Sequence, residues 1–438
     1  MAEYLDRKRA EIAFWRSQLR EPGAPGRVDT VEEVLAAKLA LRTRQMSEAV
    51  QDQERVTESN WTGEERLPFH DYTLKYRYQR FDLSIAGPAI YPCLRRDRAP
   101  DGLVSGSGYA GSGMAAIAGV LLALQRVCPG AVLVAADDSY FETQCLVRHH
   151  LPALALAPAG PETSLPQALA AAGSAPMVAL LVDSICHRDP TIGLDEIEAP
   201  PDLLLLDSSC YEVGDPRIAR VAAQAMAWRV PLVIVRSHVK LDCFGVEYGR
   251  LGSVVFVRPP GLSPARADQL SALLAAHRGA SAWFGLKPNP AHLLPFAADD
   301  QFQQLNRARL RRVEENNAAA TVWIGGGVGS VRAYHHGKYV TVEPPATTRV
   351  EILDGLGRFE QQAARVGVPA RRADSFGFDF IAMTDWLDLR SQRPALRVAI
   401  SDVPEAVLER FATLWRPFMQ QAFATRETDG YGAHSAAR

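Results

Sequence analysis

Between residues 76 and 257 short apolar runs alternate with helical segments, a texture that few folds accept. Residues 131–136, 177–182, 203–206 and 232–235 are apolar runs. Residues 112–124, 165–172 and 216–228 carry helical periodicity. A strand that is apolar on both faces must be covered on both, so the pattern predicts an α/β domain built on a mostly parallel sheet with helices on either side. Ligands of such sheets bind outside the carboxyl ends of the strands. Asp138, Asp183, Asp207 and Ser237 all fall there.

The flanks read differently. Residues 3–59 are helical and amphipathic, with Leu5, Ile12, Trp15 and Leu19 near one face. A Gly/Pro break over 21–26 separates a first helix from a second, whose start Thr30-x-x-Glu33 has the form of a capping box. Such an arm serves packing or dimerisation more often than chemistry. Beyond Pro288 the chain reads as α+β. It has a helix over 301–315, the run Gly325-Gly326-Gly327, strands over 350–353, 378–381 and 396–400, and a helix over 404–417. At 438 residues the chain exceeds a single hydrophobic core. The expected division is a helical arm over 1–75, a cofactor-binding α/β domain over 76–287 and a smaller α+β domain over 288–438.

Composition excludes several function classes. A formal net charge of −2 gives no basic surface for nucleic acid or an anionic membrane. The longest apolar stretch, around 114–125, is too short and broken to span a bilayer, and the charged opening residues carry no secretory signal. The six cysteines have no CxxC spacing, which predicts reduced thiols in cytoplasm and neither a disulfide framework nor a metal site.

Two residues narrow the chemistry. The 232–235 run leads into Ser237-His238-Val239-Lys240, and the 203–206 run ends in Asp207. A lone lysine and a lone acid at the ends of buried strands are what pyridoxal phosphate requires: lysine forms the imine and aspartate keeps the ring nitrogen protonated. Ser112-Gly113-Met114 opens a helix whose free N–H groups and positive dipole end favour a phosphate, to which Ser237 would add a hydroxyl. Tyr140 would stack on the ring and act as acid at Cγ. Each residue taken alone has an ordinary explanation: a helix start, a buried aromatic, a helix cap, an exposed lysine. Together they favour the cofactor.

In order along the chain, Ser112-Gly113-Met114-Ala115-Ala116-Ile117, Asp138-x-Tyr140-x-x-Thr143, Asp207, Ser237-x-x-Lys240, Ser375-Phe376-Gly377 and Leu396-Arg397-Val398 resemble the motifs of fold-type I pyridoxal-phosphate enzymes. The likeness is greatest to the cystathionine γ-synthase/methionine γ-lyase group of Cys/Met metabolism. It implies Lys240 and Tyr140 as catalytic residues, and Gly113, Met114, Tyr140, His187, Asp207, Ser209, Ser237 and Lys240 around the cofactor. It also implies Arg397 and Ser375 at the substrate carboxylate, where guanidinium makes a bidentate pair. Tyr78 and Arg80 match a Tyr-x-Arg pair that the group lends from the neighbouring subunit, which implies a homodimer or homotetramer.

The departures bear on the reaction. Glu142 stands where the group has glycine or cysteine, Val239 replaces a phosphate-binding threonine, and the Asp207-to-Lys240 interval approaches that of α-oxoamine synthases. The expected function is γ-elimination or γ-replacement on an L-amino acid in a specialised pathway, including the formation of a terminal-alkyne amino acid from a γ-halogenated allylglycine. An α-oxoamine synthase, an aminotransferase and a non-catalytic regulatory protein on the same fold are the alternatives.

Overall fold

The computed structural model describes residues 1–24, 26–54, 66–75, 84–86, 90–94, 103–345, 348–387 and 393–423. Tyr78 and Arg80 lie outside these residues. The apolar runs form the centre of a seven-stranded sheet. Leu154–Ala159, Ala131–Ala136, Val178–Asp183, Leu203–Asp207 and Leu232–Ser237 lie side by side and parallel; Gly252–Val257 runs antiparallel beside them, and Val104–Ala110, antiparallel to Gly252–Val257, closes that edge. The expected mostly parallel α/β architecture is present. Val104–Ala110 is not legible as a strand because its sequence is VSGSGYA, with no apolar run. Its glycines answer to the covering helix, since a Cβ at Gly106 would lie 2.9 Å from Leu274 Cδ2.

A second, five-stranded sheet follows in the order Ser330–Ala333, Val340–Glu343, Pro394–Ala399, Ile381–Leu387, Ala370–Arg372. The strand expected over 350–353 is instead the first turn of the helix Arg349–Arg365. Thr348 caps that helix through a reciprocal box with Glu351, and Ile352, Leu356, Phe359 and Ala363 are buried at helical spacing. Four residues are too few to separate the two periods. Of the strand expected over 378–381, only Ile381 is in a strand.

The N-terminal helices, Ala2–Ser17 and Val31–Glu54, pack on the rest of the chain. Thr30 and Glu33 form the expected capping box, Glu33 N–H to Thr30 Oγ1 at 3.2 Å and Thr30 N–H to Glu33 Oε2 at 3.1 Å. Phe14 and Trp15 sit edge-on to Phe296, within 6.0 Å of Phe244. Below them lies a buried charge lattice. Lys8 Nζ lies 3.0 Å from Asp379, 2.8 Å from Asp402 and 3.3 Å from Glu11. Lys38 binds Glu11, Asp379 and the Phe244 carbonyl, and Arg309 Nε lies 2.6 Å from Asp379. The arm is thereby tied to both sheets' domains.

Candidate active site

Asp207, Asp183 and Ser237 are the last residues of three strands, and Asp183 and Asp207 are direct neighbours in register. They wall a cavity of about 150 Å³ together with Gly113, Met114, Tyr140, Ser209 and Lys240. Eight of the sequence-derived positions therefore bear on one space: seven line it, and the eighth, Arg397, lines a continuation.

The phosphate end is set by close packing. A Cβ at Gly113 would meet Ser237 Cβ at 2.7 Å, so only glycine lets the helix Gly113–Val127 start against that strand end. Ser112 Oγ accepts from the Ala115 N–H at 3.0 Å. That cap leaves the N–H groups of Gly113 and Met114 directed to the cavity. Ser209 Oγ accepts from the Ser237 N–H at 2.9 Å, which places both hydroxyls at the same end.

At the other side Asp207 Oδ1 accepts from the Ser209 N–H at 2.9 Å. Burial pushes its carboxyl above the ordinary range, against the Ser209 hydrogen bonds and the charges of Lys240 and Arg236. Asp183, fully buried, accepts from the Tyr140 N–H at 2.9 Å and the Ile185 N–H at 3.1 Å. Burial and the Asp207 charge push it up to about 7. Asp183 thus seats Tyr140 and intensifies the negative potential around Asp207. Two acids so placed fit a cationic ring nitrogen, whose charge would favour the ionised form of Asp207.

Lys240 sits in the single turn His238–Leu241 that follows its strand. A buried brace holds that turn. Arg236 makes a bidentate pair with Asp242 at 2.7 and 2.7 Å, and His238 bridges Asp242 Oδ2 at 2.8 Å and Ser253 Oγ at 2.7 Å. Burial lowers the His238 pKa, so the neutral ring donates through Nδ1 to Asp242 and accepts from Ser253 at Nε2. Burial would raise Asp242, but the Arg236 charge and its hydrogen bonds hold it at about 2.

The Ser375-Phe376-Gly377 segment, between the strands Ala370–Arg372 and Ile381–Leu387 of the five-stranded sheet, closes on the lysine. A Cβ at Gly377 would fall 1.6 Å from the Lys240 carbonyl oxygen, so any other residue would displace the lysine. Lys240 Nζ lies 4.8 Å from the Phe376 ring centroid and 5.4 Å from that of Tyr140. No carboxylate pairs with it among the described residues. Ser375, expected at the substrate carboxylate, instead donates to Glu247 Oε1 at 2.8 Å, and the Gly377 N–H binds the same oxygen. It acts as a brace. Burial pushes Glu247 up to about 7 against those bonds and the Lys240 charge.

Beyond Tyr140, Ile185 and Lys240, which wall both spaces, a second cavity of about 420 Å³ opens toward Arg397. Arg397 is 6% exposed. Its guanidinium lies 5.2 Å from the Trp386 ring and 5.5 Å from the Tyr339 ring, and its Nη2 has no hydrogen-bond partner among the described residues. A buried, oriented and unsatisfied guanidinium fits a carboxylate. Burial, followed by the adjacent Glu142 charge and hydrogen bond, pushes the Tyr140 phenol above its ordinary range; Tyr140 is therefore a proton donor at neutral pH.

His187 is not brought to the Asp207 cavity. Its main-chain N–H donates to Asp138 Oδ2 at 2.9 Å, its ring stands edge-on to Tyr334 at 5.6 Å, and it lines a cleft of about 30 Å³ that shares Tyr140, Phe141, Ile185, Trp386 and Leu387 with the Arg397 cavity. The sequence reading missed Asp183 as a site residue, although it ends an apolar strand just as Asp207 does. It also missed Glu247 and the Trp386–Tyr339 pair, for which the sequence carries no signal. No group of three or more His, Cys, Asp or Glu among the described residues could hold a metal ion. The six cysteines are free. No helix among these residues is long and apolar enough to cross a membrane.

Comparison with known proteins places the fold. No protein-family model and no curated protein matches the sequence. Among solved structures the chain is similar to metB from Corynebacterium glutamicum, with a TM-score of 0.51 and 15% identity over 72% of this chain and 81% of that one. The chain shares the fold of that protein. The cystathionine γ-synthase of Xanthomonas oryzae pv. oryzae, in complex with cystathionine, is also similar, at a TM-score of 0.49 and 19% identity over 73% of this chain and 82% of that one. A cystathionine γ-lyase from Micromonospora echinospora stands at 0.48 and 15%, over 72% and 82%.

Proposed function

We propose that the protein is a pyridoxal-phosphate-dependent enzyme that carries out γ-elimination or γ-replacement on an L-amino acid. One observation carries this reading: Lys240, Asp207 and Arg397, whose Nη2 has no hydrogen-bond partner among the described residues, converge on two contiguous cavities. The phosphate would rest on the Gly113 and Met114 N–H groups and the hydroxyls of Ser209 and Ser237, with Asp207 at the ring nitrogen and Lys240 as the covalent anchor. When bound, the cofactor supplies an electron sink for charge developing at the substrate carbon.

The chain's own residues do the rest. Arg397 fixes the substrate by its carboxylate and so orients the Cα proton. Lys240, released on substrate binding, moves that proton and then one at Cβ. Its Nζ faces two aromatic rings and has no carboxylate partner among the described residues, so once released as the neutral amine it can take up a proton and pass it on. Tyr140, kept protonated by burial and by Glu142, delivers a proton to the departing γ-group. Asp183 holds Tyr140 in place through its main-chain N–H.

A homodimer or homotetramer, a cytoplasmic location and a specialised pathway belong to the same proposal. The alkyne-forming conversion is its narrowest form. The test is direct. Purified protein supplied with pyridoxal phosphate should turn yellow, and Lys240→Ala should lose that absorption band; a wild-type protein that gains no band sinks the proposal. Release of ketoacid with ammonia or halide from γ-substituted amino acids marks elimination. Release of carbon dioxide and coenzyme A from an acyl thioester would mark an α-oxoamine synthase, and ketoacid without ammonia a transaminase.

A further inference from the structure

The substrate cavity has two poles, and only one is explained by an amino acid's common atoms. Arg397 takes the α-carboxylate, and the cofactor engages the α-amino group. What remains to face Glu142, Asp374 and Asp385, all lining the same cavity, is the side chain. Asp385 is neutralised by Arg349, whose Nε lies 2.5 Å away, and Asp374 accepts from Thr384 Oγ1 at 2.7 Å. Glu142 has no cation beside it among the described residues. It stands in the first turn of the helix Phe141–His150, half-buried, and accepts a hydrogen bond from the Tyr140 phenol, which leaves its negative charge in place. The unsatisfied Nη2 of Arg397 shows independently that the cavity is built for a ligand.

We propose that the substrate's side chain ends in a hydrogen-bond-donating, neutral-to-cationic group read by Glu142, and that amino acids with anionic γ-substituents are rejected. The inference rests on the amino-acid reading of the site and names its substrate class. In a partly water-excluded cavity an uncompensated carboxylate attracts a cationic or N–H-bearing terminus and repels a carboxylate or phosphate, which gives discrimination by repulsion as well as attraction. The alkyne-forming conversion, whose substrate ends in a halogen, would gain nothing from Glu142.

The experiment is titration calorimetry on the cofactor-loaded protein, with L-ornithine, L-norleucine and L-glutamate as probes of similar length. The dissociation constant should be lowest for ornithine and highest for glutamate, with about tenfold or more between them. Glu142→Gln should remove most of that ratio, whereas Arg397→Ala should weaken all three probes to a similar degree. Glutamate binding as tightly as ornithine, or an unchanged ratio in Glu142→Gln, overturns the inference while leaving the amino-acid reading in place. Failure of all three to bind a protein that is folded by circular dichroism overturns both.

Discussion

Two groups of buried charges lie within this chain, and they are built on opposite rules. In the lattice beneath the N-terminal arm, Lys8, Lys38 and Arg309 interleave with Glu11, Asp379 and Asp402, each touching an opposite charge. Attraction there outweighs burial, and Asp379 is held far below the ordinary carboxylate range despite burial, by Lys38, Lys8 and Arg309. Around the strand-end cavities the charges are left incomplete. Asp183 and Asp207 are pushed up by burial, Arg397 lacks a partner at Nη2, and Lys240 faces aromatic rings. Compensated charges order the arm, while uncompensated ones wait for a ligand. The difference separates structure from function where burial alone does not.

The comparison can be broken by mutation. Lys240→Ala should lower turnover by about 10³-fold or more, because the cofactor anchor and the proton carrier vanish together. Its melting temperature without cofactor should stay near that of the parent. A large loss of stability would mean that Lys240 belongs to the structural class. Asp379→Asn should do the reverse, leaving Lys8, Lys38 and Arg309 buried beside fewer acids. Its expected cost is about 3–5 kcal/mol in chemical unfolding. Because the folded Asp379 pKa is depressed, its contribution is present above the ordinary carboxylate pKa of about 4 and is lost as pH falls below it. Acid unfolding of Asp379→Asn should therefore be shallower than that of the parent.

Gly113→Ala sharpens the picture at the phosphate end. The methyl would meet Ser237 Cβ at 2.7 Å, so the helix start must back away. We expect about 1–3 kcal/mol of destabilisation and weaker retention of pyridoxal phosphate on dialysis. Unchanged retention would remove Gly113 from the cradle. The smallest effect concerns Asp183. Its folded pKa, raised to about 7, means that the ionised form opposes folding above that value and the opposition fades as pH falls toward about 4. Between pH 7 and pH 5 the cofactor-free parent should thus gain more in melting temperature than Asp183→Asn does. An equal gain in both would show that Asp183 keeps an ordinary carboxylate pKa in the folded protein.

The parts of the fold that were legible were those where local pattern and burial agree. The central strands are apolar on both faces and can be nothing but sheet core, and Thr30-x-x-Glu33 carries its cap in the chain itself. Val104–Ala110 was hidden because close helix packing asks for small residues, which look like a loop. The 350–353 strand misread a helix start, since Val350 and Ile352 satisfy either period. In the site, Lys240, Asp207, Tyr140 and Gly113 were singled out by residue type and place at element ends, and Arg397, inside the strand Pro394–Ala399, through the resemblance. His187 and Ser375 were assigned by position in a motif, and the fold sets the His187 ring against Tyr334 and the Ser375 hydroxyl on Glu247.

The sequence by itself determined the parallel sheet, the strand ends at which chemistry must occur, and the residue types that stand there, because period and residue type are properties of the local chain. Only the tertiary structure decided which charges are answered and which are left open. Lys8 and Lys240 are both lysines in helical turns. One meets Asp379 and Asp402 from the far end of the chain, the other meets Phe376 and a cavity. That distinction depends on contacts between residues hundreds of positions apart, which no local pattern encodes.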